Sequence, residues 1–321
     1  MSTATILSGP LSWYRAANEG VSTDTFRDGE LVPETPYRVC SLLARGGMGQ
    51  LFEVENESLG RRCVLKTVHP GEAAVSTAPA RLRQEANILA SLPASIAPIV
   101  FDLRELPDGR PYFVMERLEG GDLRKELRRF EELSVRAAIR IVLKLLAALS
   151  VVHDSGIVHR DVKLENVFLT SGGELKLLDF GAAFRDDSTL RKTGCGVAIG
   201  TRRTMAPEQH QALDTDARTD LYGVGLVLYE LVVGSGPFDE FRGNETTLAL
   251  AHLHLPPPAP SARAKQPLSP AVERVILKAL EKRPADRYWS AGEMAVALER
   301  AGLGWDDADE PTDIDMWLEP A

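Results

Sequence analysis

Apolar residues change their spacing along this chain. From Tyr37 they fall into short runs, YRVCSLLA, LFEVEN and RRCVLKTV, separated by a Gly-rich turn and by ESLG. Runs of this length, rich in branched residues and bounded by turn formers, predict three antiparallel strands. RLRQEANILASL (81–92) then carries apolar residues at 82, 86, 89 and 92, which is helical spacing. PYFVMERLEGGDL reads as a strand running into a Gly-containing connection, a boundary between a small first lobe and a larger second one.

Beyond that boundary the spacing is mostly helical. Ser134 is placed to cap a helix reaching about His153, with Ile139, Val142, Leu146 and Leu149 along one side. VFLTSGGELKLLDFG contains two short strands joined by a Ser-Gly-Gly turn. TDLYGVGLVLYELVVG (219–234) is apolar nearly all round and predicts a buried central helix. PPPAPSARAKQP (256–267) predicts a solvent loop, and helical patterns return over 270–281 and 290–301.

The two ends differ from this middle. Residues 1–35 are aperiodic and read as a flexible or loosely docked arm. The stretch 302–321 holds Asp306, Asp307, Asp309, Glu310, Asp313, Asp315 and Glu319 with no Lys or Arg. It reads as an acidic tail, disordered or docked on a basic patch.

Composition narrows the function classes. A net charge of −9 over 321 residues argues against a nucleic-acid surface. No apolar run is long enough for a membrane span, since IRIVLKLLAALSVV is broken by Lys144. The first fourteen residues lack Lys and Arg and suggest no secretory signal. Cys40, Cys63 and Cys195 have neither pairing nor metal spacing, which fits a reducing cytoplasm.

Chemistry concentrates in HRDVKLENVFLTSGGELKLLDFG (159–181). HRD and DFG are each common tripeptides, but together they supply Asp161, Lys163, Asn166 and Asp179 on one loop and the hairpin after it. Phosphoryl transfer needs positioning and charge neutralisation more than covalent chemistry. Asp161 is suited to orient a hydroxyl and take its proton, and Lys163 to meet phosphate charge. Asp179 and Asn166 offer a carboxylate and an amide oxygen, ligands that Mg²⁺ prefers.

With these motifs the chain resembles the protein kinases from about Tyr37 to Ala301, and its GGMG spelling and GT-x-x-x-MAPEQ run (200–209) are similar to the bacterial Ser/Thr branch. The resemblance implies an α+β, bilobal fold. Its small antiparallel β-rich N-lobe with one helix would span about 36–117, and its larger, mostly helical C-lobe about 118–301. It implies ATP and Mg²⁺ as cofactors, with Mn²⁺ as a substitute, and proteins with Ser/Thr acceptors as substrates. Localisation would be cytoplasmic, with a regulatory partner of unknown identity and no nucleic acid.

Site residues follow position by position. Lys66 of CVLK would meet the phosphates and pair with Glu85. Leu43, Ala44, Gly46, Gly47, Met48, Gly49, Leu51 and Val64 would form the phosphate loop and adenine roof. Met115 would guard the adenine pocket, the Glu116 and Leu118 backbone would bind the ring, Phe168 would close its other face, and Asp122 would contact ribose. Asp161, Lys163, Asn166 and Asp179 would be catalytic, the last two holding metal. Glu208 would pair with Arg287, and Asp220 would brace the HRD backbone. Thr201 would favour Ser/Thr over Tyr acceptors.

Arg160 implies control by phosphate on Ser188, Thr189 or Thr193, added by autophosphorylation. Glu165 suggests a taste for basic residues near the acceptor. Ala44 replaces the first loop glycine, and a strained backbone there would cost ~1 kcal/mol. The rival readings are a pseudokinase or nucleotide-binding scaffold and a small-molecule kinase. Retention of Lys66, Asp161 and Asp179 weighs against the first, and the intact 200–209 run against the second.

Overall fold

The computed structural model describes residues 25–47, 49–70, 77–129, 133–185 and 202–303, in two compact units. Expectations for Met48, Ser188, Thr189, Thr193, Cys195, Thr201, the arm before Thr25 and the tail from Gly304 fall outside the described residues.

The first unit is built on an antiparallel sheet. β1 (Tyr37–Arg45), β2 (Gly49–Asn56) and β3 (Arg61–Val68) follow the three predicted runs, α1 (Ala78–Ser91) the predicted helix, and β5 (Pro111–Glu116) the next predicted strand. β4 (Val100–Glu105) was not foreseen, because VFDLRE carries too many charges for a buried strand. It forms the sheet edge in the order β1-β2-β3-β5-β4, where its polar residues meet solvent.

Part of the presumed arm belongs to this unit. Phe26 and Val32 are buried in the core with Phe52, Val54 and Leu65, and the Phe26 ring meets Phe52 edge-on at 5.3 Å. The Thr25 amide and hydroxyl donate to the buried Gln50 Oε1 at 2.9 and 2.6 Å, and Arg110 Nη1 donates to Thr25 Oγ1 at 2.9 Å. The arm description is therefore corrected over Thr25–Thr35, which is packed rather than loose. Its short, broken apolar pattern hid this.

The second unit contains β6 (Gly120–Asp122), α2 (Leu123–Arg129), α3 (Val135–Asp154), β7 (Ile157–Val158), β8 (Val167–Thr170), β9 (Leu175–Leu177) and β10 (Phe184–Arg185). After these come α4 (Pro207–His210), α5 (Ala217–Val233), α6 (Glu245–His254), α7 (Pro270–Ala279) and α8 (Ala291–Gly302). Ser134 Oγ accepts from the Ala137 amide at the start of α3, as its position predicted. α5 is buried on nearly every side, and α3, α7 and α8 pack on it. α5 ends at Gly234 (φ 88°), a left-handed cap that disfavours a side chain. The Ser91–Pro98 segment belongs with this unit, where the Leu177 amide donates to Ile96 O at 2.7 Å. Among the described residues no helix is long and apolar enough to cross a membrane.

Candidate active site

Strand alternation puts Val64 and Lys66 on one face of β3, with Lys66 in register with Leu51 on β2 and Phe113 on β5. Lys66 Nζ donates to Glu85 Oε1 at 2.6 Å, and their side chains are only 12% and 5% exposed. A carboxylate this buried in α1 would be costly alone, so the pair holds both charges in place. Val64 packs with Ala44 and Leu51, and Leu43 and Met115 close on the same cluster. The residues assigned to the adenine roof thus form one apolar patch.

The Gly-rich turn is braced from within. The Gly46 amide donates to Gly49 O at 2.8 Å, and His69 Nε2 lies 2.6 Å from Gly46 O. A Cβ on Gly49 would stand 2.1 Å from Thr67 O, so the neighbouring strand itself demands glycine there. Ala44 pairs with Leu51 in β1 and is absent from the residues with positive φ. The expected penalty for its missing glycine does not arise, because a strand position accepts a Cβ freely. His69 was missed by sequence reading, since nothing marks a histidine three residues past a strand lysine as a loop clamp.

In the second unit, Asp161 and its neighbours form a single network. Asp161 Oδ2 accepts from Lys163 Nζ at 2.6 Å and from Asn166 Nδ2 at 2.9 Å, and Asn166 Nδ2 also reaches Asp161 O at 2.8 Å. Burial pushes the Lys163 ammonium down, but attraction to Asp161 outweighs it and the net shift is upward. Lys163 stays charged. Asp161 Oδ1 and Asn166 Oδ1 are buried with no hydrogen-bond partner, two acceptors aimed at nothing in the protein.

The backbone around this network is held under strain. Asp179 (φ 57°) and Arg160 (φ 66°) both occupy the left-handed region that non-glycine residues avoid. Asp220 Oδ1 accepts from the Arg160 amide at 2.7 Å and Oδ2 from the His159 amide at 2.9 Å, with His153 Nε2 at 2.8 Å. His159 Nε2 donates to Leu178 O at 3.0 Å, and its ring packs on the buried Phe180 at 4.6 Å. This ties the HRD segment to the DFG segment. Arg160 Nε donates to Thr215 Oγ1 at 2.7 Å.

Two residues make contacts within the protein that sequence did not foresee. Asp122 caps α2, accepting from the Lys125 amide at 2.9 Å, and burial raises its carboxyl above the usual range. Its Oδ2 is buried without a partner. Glu165, read as a lure for basic substrate residues, is taken up by Arg124 Nε at 2.9 Å. Burial pushes its carboxyl up, yet Arg124 brings the net shift below the usual range. Phe168 is buried on β8, in register with Asp122 and Lys176.

The protein kinase domain model matches residues 37–296. The chain belongs to the protein kinase family. It is 38% identical over 272 residues to a probable serine/threonine-protein kinase of Corynebacterium efficiens, covering 82% of this chain and 41% of the relative. It is 35% identical over 266 residues to the serine/threonine-protein kinase PknD of Mycobacterium tuberculosis, covering 83% and 40%. The chain thus spans about two fifths of the length of these curated relatives. The crystal structure of the Mycobacterium tuberculosis PknI kinase domain superposes with a TM-score of 0.66 at 28% identity, over 86% of this chain and all of the other.

Proposed function

We propose that this kinase-family chain transfers the γ-phosphoryl group of ATP to Ser or Thr hydroxyls of proteins. The observation that carries this reading is the division of labour on Asp161. One carboxylate oxygen is fixed by Lys163 and Asn166, and the other is buried and unpartnered. An acceptor hydroxyl presented to Oδ1 would be oriented along its O–H bond and would lose its proton there as the phosphorus bond forms. Lys163, already charged beside Asp161, is placed to counter the transferring group's negative charge.

Mg²⁺ fits the residues present. Asn166 Oδ1 is a buried acceptor lacking a partner, Asp179 is a carboxylate on a strained turn, and both are the hard oxygen donors this cation takes. Among the described residues no three His, Cys, Asp or Glu side chains cluster around a metal position. When bound, Mg²⁺ would supply positive charge to the phosphates. Lys66, fixed by Glu85, would bind the non-transferred phosphates, and the patch of Val64, Ala44, Leu51 and Met115 would take the adenine.

The test is phosphate transfer from labelled ATP, with Mg²⁺ or Mn²⁺, to the chain itself and to a generic protein. Wild type labels protein, whereas Asp161→Asn and Lys66→Met lose at least about a hundredfold in rate. Nucleotide binding without transfer would instead support a scaffold. Cytoplasmic residence and a regulatory partner belong to the same proposal.

A further inference from the structure

Beside Glu165, on the same turn as Asn166, the second unit carries a groove of about 760 Å³. Six Arg or Lys side chains line it against four Asp or Glu. The acids are already engaged. Arg124 bridges Glu165 and Glu230 at 2.9 and 2.5 Å, and Arg203 joins Glu230 to Asp239, with 2.7 Å to Asp239. Arg242 adds a second contact to Asp239 at 2.5 Å, and Arg202 meets Glu245 at 3.0 Å. Arg128 and Lys265 are exposed on the groove wall and have no ion pair among the described residues. A cationic segment entering here would find each carboxylate already paired with an arginine, with only the buried Oε2 of Glu165 left over, and two loose positive charges facing it.

We propose that this groove reads acidic residues, so that the chain favours Ser/Thr acceptors flanked by Asp or Glu, and that Thr312 is one such acceptor in the chain itself. The inference rests on the protein kinase reading above. Thr312 follows Asp309, Glu310 and Pro311 and precedes Asp313, and it is the sole hydroxyl residue between Leu303 and Ala321. The activation segment offers a contrast. Ser188 and Thr189 come directly after Asp186 and Asp187, while Thr193 follows Arg191 and Lys192. The groove therefore ranks Ser188, Thr189 and Thr312 above Thr193. In each case the acceptor oxygen takes the γ-phosphoryl group of ATP, ADP leaves, and the hydroxyl proton passes to Asp161.

The route to the tail is short. A Cβ on Gly302, at the end of α8, would lie 3.5 Å from Ile139 Cδ1 on α3. Ile139 is about one helical turn, ~6 Å, from the start of α3, and Leu133 just before that start lines the groove. The nine residue-to-residue steps from Leu303 to Thr312 span up to ~30 Å when extended.

The experiment compares two peptides on the full chain: DDADEPTDIDM and the same sequence with every Asp and Glu replaced by Lys. The acidic peptide is expected to show kcat/KM about tenfold higher or more, the sum of two or three screened charge contacts, shrinking as salt rises. Site mapping after incubation with ATP is expected to find Thr312 and Ser188 or Thr189 ahead of Thr193. Arg128→Glu with Lys265→Glu reduces the peptide ratio, and Arg124→Ala moves it toward the basic peptide by releasing Glu165 and leaving Glu230 to Arg203 alone. Equal or better use of the basic peptide overturns the proposal. If neither peptide is phosphorylated, the kinase reading has failed. Fluorescence anisotropy of the two labelled peptides then decides this one, with equal binding or tighter binding of the basic peptide counting against it.

Discussion

Arg287 holds Glu208 through two parallel hydrogen bonds, Nη1 to Oε1 at 2.8 Å and Nη2 to Oε2 at 2.7 Å, with the side chains 0% and 3% exposed. The remaining guanidinium hydrogens go to the carbonyls of Arg218, Lys282 and Glu281, and Thr219 Oγ1 donates to Glu208 Oε1 at 2.8 Å. Nothing in this cluster is left unsatisfied.

Removing one partner of such a pair strands a buried charge. Glu208→Ala should cost ~3–5 kcal/mol of unfolding free energy, and Glu208→Gln somewhat less. Chemical denaturation of both variants checks this. A change within 1 kcal/mol of wild type would show that the pair adds little.

Asp220 links α5 to the His159 amide, to the amide of the strained Arg160 and to the His153 ring through three contacts. In Asp220→Asn, one oxygen must serve both backbone amides or leave one unmet. The expected outcome is a kcat lowered about tenfold or more with KM for ATP little changed, because Asp220 lies behind the catalytic loop rather than against nucleotide. Steady-state kinetics give the split, and a rise in KM alone contradicts it.

The two loop positions should respond oppositely to a methyl group. Gly49→Ala drives a Cβ into Thr67 O, so it should destabilise by more than ~1 kcal/mol and weaken ATP binding. Ala44→Gly relieves nothing and leaves ATP affinity the same or lower. Calorimetric titration of nucleotide against both variants is the measurement.

His252 gives a pH dependence. Burial first, then the nearby His210 and Lys282, lower its imidazole to about 3, while a backbone hydrogen bond involving Arg203 opposes the shift. Tyr222 hydroxyl lies 2.9 Å from its Nδ1, and Phe238 covers its ring. The unfolded chain binds this proton near pH 6.5 and the fold resists it, so stability falls as pH drops from about 6.5 towards 3. The slope contributed is up to ~1.4 kcal/mol per pH unit. Melting temperatures from pH 7 to 4 should fall less steeply in His252→Gln than in wild type.

Much of this was legible before any coordinates. The runs that became β1, β2, β3, α3 and α5 have strong periodicity because each buries one face, or all of itself, in a core. The Lys66–Glu85, Glu208–Arg287 and Asp220 contacts were readable because their residues stand at family positions. β4 and α6 were not, since an edge strand and a short helix carry little buried pattern. Nor was the role of Arg124. Sequence shows an acid at Glu165 but cannot show that a cation from α2 has already claimed it.

The clasp formed by Thr25, Gln50 and Arg110 has a practical side. Gln50 immediately follows the last loop glycine, so anything pulling on the polypeptide ahead of Thr25 tugs at the hairpin expected to cover the triphosphate. An affinity tag or cleavage site placed against Thr25 would report on nucleotide handling as well as purification, and upstream segments have a ready-made lever.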